Sequence, residues 1–168
     1  RRLILQAKID ELPAHQGNIV DEHTMDKIEL GGIGRMLALT SNEEANSLAA
    51  IHCSEEFGRA EVYQIRLKDI PIEKGAAPAP AHLSGRPLFR EGATHSQITQ
   101  RFDDGGRFVK VELTDDYSYE CFQKEHGDQA WSFFVIEGEK LLICTTDKDI
   151  LPEAGQSFVA LVPADPTP

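Results

Sequence analysis

Polar side chains that could bind a small molecule follow a short apolar run in the first half of the chain. The run is Met36 to Leu39, and Thr40 and Asn42 come directly after it. If this run is a strand of a parallel sheet, the hydroxyl and the amide lie at its carboxyl end, where such sheets usually bind ligands. Both groups donate and accept hydrogen bonds, so they could bind polar edges of a ligand.

The residue types that usually do covalent or metal chemistry are scattered. The 6 histidines show no i,i+4 pair and no HExxH motif, which argues against zinc. His95 and Ser96 are adjacent, but no nucleophile-elbow motif surrounds them, and sequence neighbours rarely form a triad. The pairs Asp103-Asp104 and Asp115-Asp116 could bind calcium or an alkali cation, yet EF-hand spacing is absent and solvated turns explain them more simply. We therefore expect neither an enzyme nor a metal site.

Composition limits the class of protein. With 168 residues the chain can form one large or two small domains. A net charge of -11 argues against nucleic acid as a partner. The 3 cysteines are far apart and odd in number, which predicts reduced thiols that pack in the core. No apolar run reaches the roughly 20 residues of a membrane span.

The elements around Thr40 and Asn42 form a βαβ pattern. The apolar run Met36 to Leu39 predicts a buried strand. Ser41 and Glu44 have the spacing of a capping box, and Gly58 suits the end of the helix that follows. Glu61 to Ile65 predicts a second strand, parallel to the first. The buried helix face is expected to hold Ala45, Leu48, Ala49, His52 and Cys53.

The first 35 residues carry weaker patterns. Arg2 to Glu11 predicts a helix, with a strand at Arg2 to Leu5 as the competing prediction. Leu12 to Gln16 is expected to be extended because Leu12 precedes a proline. Asp21 to Leu30 predicts a short helix with acidic residues in its first turn. Gly31 to Gly34 predicts a helix-to-strand connection, since a dinucleotide fingerprint needs a strand before it and a helix after it.

The segments LALTSNEEANSLAA and FGRAEVYQI also carry a family resemblance. They resemble the TrkA-N or RCK regulatory domain of potassium channels and of Trk- or Kef-type transporters. The resemblance is closest to the version on the cytoplasmic tail of bacterial sodium:proton antiporters. It covers Leu12 to Ile65 well, and Leu83 to Pro163 more weakly resembles the region that follows in those antiporters.

The resemblance implies a nucleotide-type sheet of which only the later half is present. Gly17-Asn18 would end its third strand near the adenosine of a bound nucleotide, although a plain turn explains the pair as well. Asn18, Thr40 and Asn42 are then the expected cofactor-binding residues. The first strand and its G-x-G-x-x-G loop are missing, so we expect no cofactor in this fragment, and an adenine nucleotide only in the full-length protein. The exposed strand edges predict pairing with a second copy in a homodimer, or with a rearranged amino terminus.

The second part of the chain predicts a separate module. Residues 67–85 are rich in proline and alanine and are taken as a linker between residues 1–66 and 86–163, with 164–168 as a tail. Thr94 and Gln97 form a capping box for a short helix. The predicted order is α-β-α-β-β-β on an antiparallel or mixed sheet. Its elements are a strand at Arg107 to Leu113, a helix at Tyr117 to Glu125, a hairpin of Trp131 to Ile136 with Lys140 to Thr145, and a strand at Ser157 to Val162.

The fold class predicted is therefore α/β: a partial Rossmann-like parallel sheet followed by a small α+β module. The chain begins at Arg1 without a methionine, so it is expected to be a piece of a longer protein. The resemblance implies a non-catalytic regulatory domain of a membrane cation:proton antiporter, on the cytoplasmic side of the inner membrane. Its partner would be the transporter domain of the same polypeptide. The alternatives are an adenine-nucleotide sensor of a potassium transport system and a fragment of an NAD-dependent oxidoreductase.

Overall fold

The computed structural model describes residues 2–19, 21, 28, 31–66 and 85–164. Contacts divide the chain into two compact units, Arg1–Arg35 and Met36–Pro168. In the first unit, helix α1 covers Arg2–Ile9, so the helix prediction is confirmed over the competing strand. The predicted helix at residues 21–30 lies almost entirely outside the described residues. Leu12 to Gln16 belong to no strand, so the third strand implied by the resemblance is absent there.

The second unit begins with a three-stranded parallel sheet in the order β1-β2-β3, in which β3 is the short strand Arg86–Pro87. Strand β1 is Met36–Ala38 and β2 is Val62–Gln64, with Met36 opposite Val62 and Leu37 opposite Tyr63. Helix α2, Glu43–Phe57, connects them, which confirms the predicted βαβ unit. It ends at Gly58, whose φ of 76° is a conformation that glycine adopts without steric cost.

The cap of helix α2 differs from the predicted capping box. Asn42, not Ser41, is the N-cap, and its side-chain oxygen accepts from the backbone N–H of Ala45 at 2.9 Å. The helix thus begins one residue later than the pattern Ser41 to Glu44 predicts. Its buried face shifts as well: Ala49 and Cys53 are buried as predicted, whereas Leu48 is 53% exposed. The buried positions are Asn46, Ala49, Ala50 and Cys53.

A four-stranded antiparallel sheet follows in the order β4-β7-β5-β6. Its strands are β4 (Arg107–Glu112), β5 (Trp131–Glu137), β6 (Lys140–Ile143) and β7 (Ser157–Val162), all close to their predicted positions. Helices α3 (His95–Asp103) and α4 (Tyr119–His126) complete the α+β pattern. The capping box of α3 is confirmed, with both hydrogen bonds between Thr94 and Gln97 present.

The two sheets share a hydrophobic core, which the predicted division at residues 67–85 does not anticipate. Strand β3, Arg86–Pro87, pairs with β2, and Leu88 and Phe89 continue from it into the interior. Tyr63, Leu88 and Phe89 pack with Trp131 and other residues of the antiparallel sheet. Residues 67–84 of the predicted linker lie outside the described residues. The described contacts place the parallel and antiparallel sheets in one unit, whereas the sequence pattern predicts two modules.

A second core lies within the antiparallel part. It contains Leu113, Phe122, Ala130, Val135, Cys144, Phe158, Ala160 and Val162. Phe158, on the interior strand β7, is fully buried and lies edge-on to Phe122, with ring centroids 4.8 Å apart. Leu161, also on β7, faces the core shared with the parallel sheet, so hydrophobic burial on both sides of β7 stabilises this sheet.

Arg86 links the two sheets through polar contacts. Its Nε and Nη2 donate to the carboxylate of Asp147 at 3.0 and 3.2 Å, and Nη2 also donates to the Thr145 hydroxyl at 3.3 Å. Its Nη1 donates to the Ala60 carbonyl and the Tyr63 hydroxyl, each at 3.3 Å. One guanidinium thus joins strands β2 and β3 to the loop after β6, and this contact is partly exposed to water.

We expect Arg86→Met to lower the free energy of unfolding at pH 7 by about 1 kcal/mol. This value is near the upper end of the stabilisation that partly exposed ion pairs give. The hydrogen bond from Arg86 is the main cause that lowers the pKa of Asp147. A lowered pKa contributes stability above the unfolded-state value, and that contribution is lost as pH falls through the folded-state pKa. In urea unfolding, the difference between wild type and variant should therefore shrink from pH 7 to pH 3.

The matched control is Lys110→Met, which removes an exposed cation that lies 3.5 Å from Glu112. We expect this change to have little effect at either pH. A difference between wild type and Arg86→Met that is the same at pH 7 and pH 3 would contradict the assigned role of Asp147.

Candidate functional site

The loop after β1 is held by hydrogen bonds between Thr40 and Asn46. The backbone N–H and the hydroxyl of Thr40 both donate to Asn46 Oδ1, the former at 3.1 Å. Asn46 Nδ2 donates back to the Thr40 carbonyl at 2.9 Å. Asn46 is 1% exposed, so this buried amide replaces the water that the turn would otherwise bind.

Thr40 and Asn42, two of the predicted ligand-binding residues, lie together in this loop. The Thr40 hydroxyl also accepts from the Asn42 backbone N–H at 3.2 Å, so it is engaged on both its donor and acceptor sides. Asn42 uses Oδ1 to cap helix α2. Within the described part of the chain, Asn42 Nδ2 makes no hydrogen bond, and the residue is exposed. Its amide nitrogen is therefore the group that the loop leaves available to a ligand.

Asn18, the third predicted residue, belongs to the other unit, Arg1–Arg35. It lies between a bend at Gly17 and a turn at Ile19 and is exposed. That Asn18 binds the same ligand as Thr40 and Asn42 stays a prediction.

The carboxyl end of β2 lies beside the same loop and helix. The buried Gln64 donates through Nε2 to the Ser47 hydroxyl at 3.1 Å and accepts from the Gly85 N–H at 3.3 Å. A Cβ on Gly85 would lie 2.9 Å from the backbone carbon of Tyr63, so only glycine lets the chain pass this close. These contacts join the end of β2 to helix α2 and to the segment that enters β3.

A separate pocket of about 450 Å³ lies in the antiparallel part. Helix α3 and its C-cap residue place Gln97, Gln100, Arg101 and Asp104 along it, because residues at i, i+3, i+4 and i+7 share one helix face. Gln129, Trp131, Pro163 and Ala164 complete the lining. The sequence analysis missed this site; its signal is the polar series on α3 together with the single tryptophan of the chain.

Two guanidinium groups lie over the ring of Trp131. The Arg101 guanidinium carbon lies 3.9 Å from the ring centroid and that of Arg90 lies 5.5 Å away. Arg101 Nη1 donates to the Gln129 carbonyl at 2.6 Å, and Arg90 Nη1 donates to the Asp128 carbonyl at 3.4 Å. Burial lowers the pKa of Arg101, and the positive charge of Arg90 lowers it further. Two positively charged groups therefore lie close to one aromatic ring.

The described residues show few unusual reactive groups. All cysteines are free, as predicted; Cys53 and Cys144 are buried, and burial raises the pKa of Cys144 to about 11. Cys121 is not buried, and the Ser118 hydroxyl 3.5 Å from its sulfur lowers its pKa. A hydrogen bond to Glu125 raises the pKa of Tyr117 to about 12. In the part of the chain that is described, no group of three or more His, Cys, Asp or Glu residues could hold a metal ion.

No helix of the described residues is both long and apolar enough to cross a membrane. No family model matches the chain, and no curated protein matches it. Among solved structures, the chain is similar to one described as the crystal structure of the GsuK RCK domain, with a TM-score of 0.30 and 11% identity. The match covers 88% of this chain but 34% of that one, so this chain spans about a third of that protein's length. A likeness this slight carries no argument, and the fold rests on the strands and helices described above: a parallel three-stranded sheet and an antiparallel four-stranded sheet of an α/β protein.

Proposed function

We propose that this chain is a non-catalytic regulatory domain of a membrane cation:proton antiporter, located on the cytoplasmic side of the membrane. The proposal begins from the resemblance of residues 37–50 and 57–65 to the TrkA-N or RCK domains of such transporters. In this proposal, a ligand binds one conformation of the domain more tightly than another. The conformational equilibrium of the transporter then shifts only by the difference between the two binding free energies.

The observation that carries the proposal is the shared core between the two sheets. Strand β2 ends beside the Asn42 loop, and its residues Tyr63 and Ile65 pack with Trp131 and Phe133 of the antiparallel sheet. Arg86 adds hydrogen bonds that join the same parts. Because packed interiors deform little, a change at the strand ends would displace the antiparallel sheet as well. This sheet could then present that change to a transporter domain or to a second copy in a homodimer.

The alternative is an adenine-nucleotide sensor of a potassium transport system, and the free amide nitrogen of Asn42 favours it over the dehydrogenase fragment. A side-chain amide at the carboxyl end of a parallel strand can hydrogen-bond a ribose or a base edge. Cation or pH sensing without a nucleotide needs no such donor. The nucleotide-sensor hypothesis therefore predicts that Asn42 binds the ligand, and the cation- or pH-sensing hypothesis does not.

Two variants at Asn42 separate its capping role from a ligand role. Asn42→Ala removes the cap and should lower the free energy of unfolding by about 1 kcal/mol. Asn42→Asp keeps an oxygen for the Ala45 N–H but removes the Nδ2 donor, so its stability should match wild type. If a nucleotide binds here, AMP, ATP or NAD should raise the melting temperature of wild type but not of Asn42→Asp.

This thermal-shift measurement is made on the longest polypeptide that includes this chain, because phosphate binding is expected to need the missing glycine loop. A nucleotide that stabilises wild type and Asn42→Asp equally would remove Asn42 from the site. No shift with any of these nucleotides would remove the sensor alternative and leave the antiporter proposal in place.

The transporter partner has its own test. The reading frame that encodes this chain should continue upstream of Arg1 into roughly a dozen apolar segments of about 20 residues each, the length that spans a membrane. A frame without such segments would contradict the antiporter proposal and favour a separate subunit of a potassium transport system.

A further inference from the structure

We propose that the pocket between helix α3 and Trp131 binds a small organic anion, one that carries a carboxylate or phosphate group and also a hydroxyl or ammonium group. The pocket lies away from Thr40 and Asn42 in sequence and is lined by other elements. It therefore goes beyond the proposed function and would give the domain a second ligand.

The anionic group is assigned to Arg101. A guanidinium has five N–H donors in a planar fork that matches a carboxylate or phosphate. Arg101 makes a single hydrogen bond to another described residue, through Nη1 to the Gln129 carbonyl. Neither Arg101 nor Arg90 lies within salt-bridge distance of a carboxylate among the residues that the structure describes. In a chain with a net charge of -11, two arginines close enough for the charge of one to lower the pKa of the other, and with no carboxylate in ion-pair distance among the described residues, form a local excess of positive charge.

Trp131 holds Arg101 in place before a ligand arrives. The ring is 7% exposed, so it is fixed by the core, and the guanidinium stacks on it at 3.9 Å. Stacking and the Gln129 contact restrict the arginine rotamers, which reduces the entropy that binding must otherwise remove. The guanidinium is thus prepared to bind an oxyanion.

The remaining lining residues select for a polar ligand body. Gln97 uses its Oε1 in the capping box, so its Nε2 stays a donor towards its surroundings. Gln100 and Gln129 add amides that can donate or accept. Asp104 places a carboxylate on the rim and would repel a bare anion, but it accepts a hydrogen bond from a hydroxyl or ammonium group. A volume of about 450 Å³ suits a metabolite-sized ligand.

Trp131 also provides a fluorescence signal for binding, because it is the single tryptophan in the chain. Its fluorescence in the full 168-residue chain is followed while malate, succinate or inorganic phosphate is added up to about 30 mM at constant ionic strength. We expect a saturable change for malate or phosphate with a dissociation constant of about 1 mM or tighter. Malate should bind more tightly than succinate, because only malate has a hydroxyl for Asp104.

Three variants complete the test. Arg101→Gln removes the charge and should weaken binding at least tenfold, and Arg101→Lys, which keeps the charge without the planar fork, should fall between it and wild type. Lys140→Gln removes one exposed cation outside the pocket lining and should bind as wild type does. Saturable binding that Arg101→Gln abolishes would support the site. Whether malate or phosphate binds more tightly would show whether the site prefers a carboxylate or a phosphate group.

Two results would overturn the proposal: no fluorescence change with any of the three anions, or equal binding by wild type and both Arg101 variants. Circular dichroism shows whether each variant is folded. If Arg101→Gln does not fold, the test rests on Arg101→Lys: weaker binding than wild type supports the site, and equal binding overturns it. The outcome is independent of Asn42, so failure here leaves the proposed function untouched.

Discussion

Replacing Phe158 with alanine is expected to lower the free energy of unfolding by about 3–5 kcal/mol, the largest single effect we predict. The ring is fully buried on the interior strand β7 and packs edge-on against Phe122 and Tyr119, with centroids 4.8 and 5.3 Å away. Truncation removes this apolar contact and leaves a cavity that the two neighbouring strands cannot close. Urea unfolding followed by circular dichroism measures the loss.

Phe108→Ala is the matched control, since it makes the same truncation on the same sheet at a ring that is 46% exposed. It should cost less than half as much, because much of its surface is already in water. Equal losses for the two variants would contradict the assigned core.

The same experiment tests whether the two sheets unfold together. Trp131 belongs to the core shared by both sheets, whereas Phe158 belongs to the second core. If Met36–Pro168 is one cooperative unit, Phe158→Ala should shift the unfolding midpoint seen by tryptophan fluorescence as much as that seen by circular dichroism. Separate midpoints would instead support the two modules that the sequence pattern predicts.

Asn46→Ala should lower the free energy of unfolding by about 2–3 kcal/mol, although a hydrophobic pattern does not single out this polar residue. The change removes the acceptor for the Thr40 N–H and hydroxyl and the donor to the Thr40 carbonyl. The loop that presents Asn42 should then lose its fixed geometry. Thermal and urea unfolding measure the stability.

Asn46→Asp gives this prediction a pH dependence. The carboxylate keeps an acceptor for Thr40 but loses the donor to the Thr40 carbonyl and buries a charge. Burial should raise the pKa of this new carboxyl group, and its protonated form can again donate. The variant should therefore be least stable relative to wild type at pH 7 and recover part of the loss near pH 5. A loss that does not depend on pH would contradict the hydrogen bonding assigned to Asn46.

The regular elements could be predicted from sequence where local signals agreed. Helix α3 has a complete capping box, and the strands of the antiparallel sheet alternate or are bounded by glycine-containing turns. The βαβ unit was predicted because Gly58 ends a helix between two apolar runs. In each case local propensity and burial favour the same structure.

Other features depend on contacts that no local pattern contains. The hydrophobic pattern of α2 predicted a face one residue out of position, because the buried Asn46 is polar and the exposed Leu48 is apolar. Strand β3 has only two residues and forms because Gly85 lets the chain approach β2. The Trp131 pocket joins a helix, a turn and two strand ends that are far apart in sequence. For the candidate ligand site, the sequence predicted Thr40 and Asn42 beside each other but assigned the helix cap to Ser41.

The central proposal is that this chain regulates cation:proton exchange, and the direct measurement is exchange by the longer polypeptide that this proposal requires. Proton efflux driven by sodium or potassium is recorded in everted membrane vesicles, over a range of pH and cation concentration, with the intact polypeptide and with residues 36–168 removed. The account predicts that exchange persists after removal but that its dependence on pH or cation concentration shifts. Identical dependence with and without these residues, or no exchange by the intact polypeptide, would contradict it.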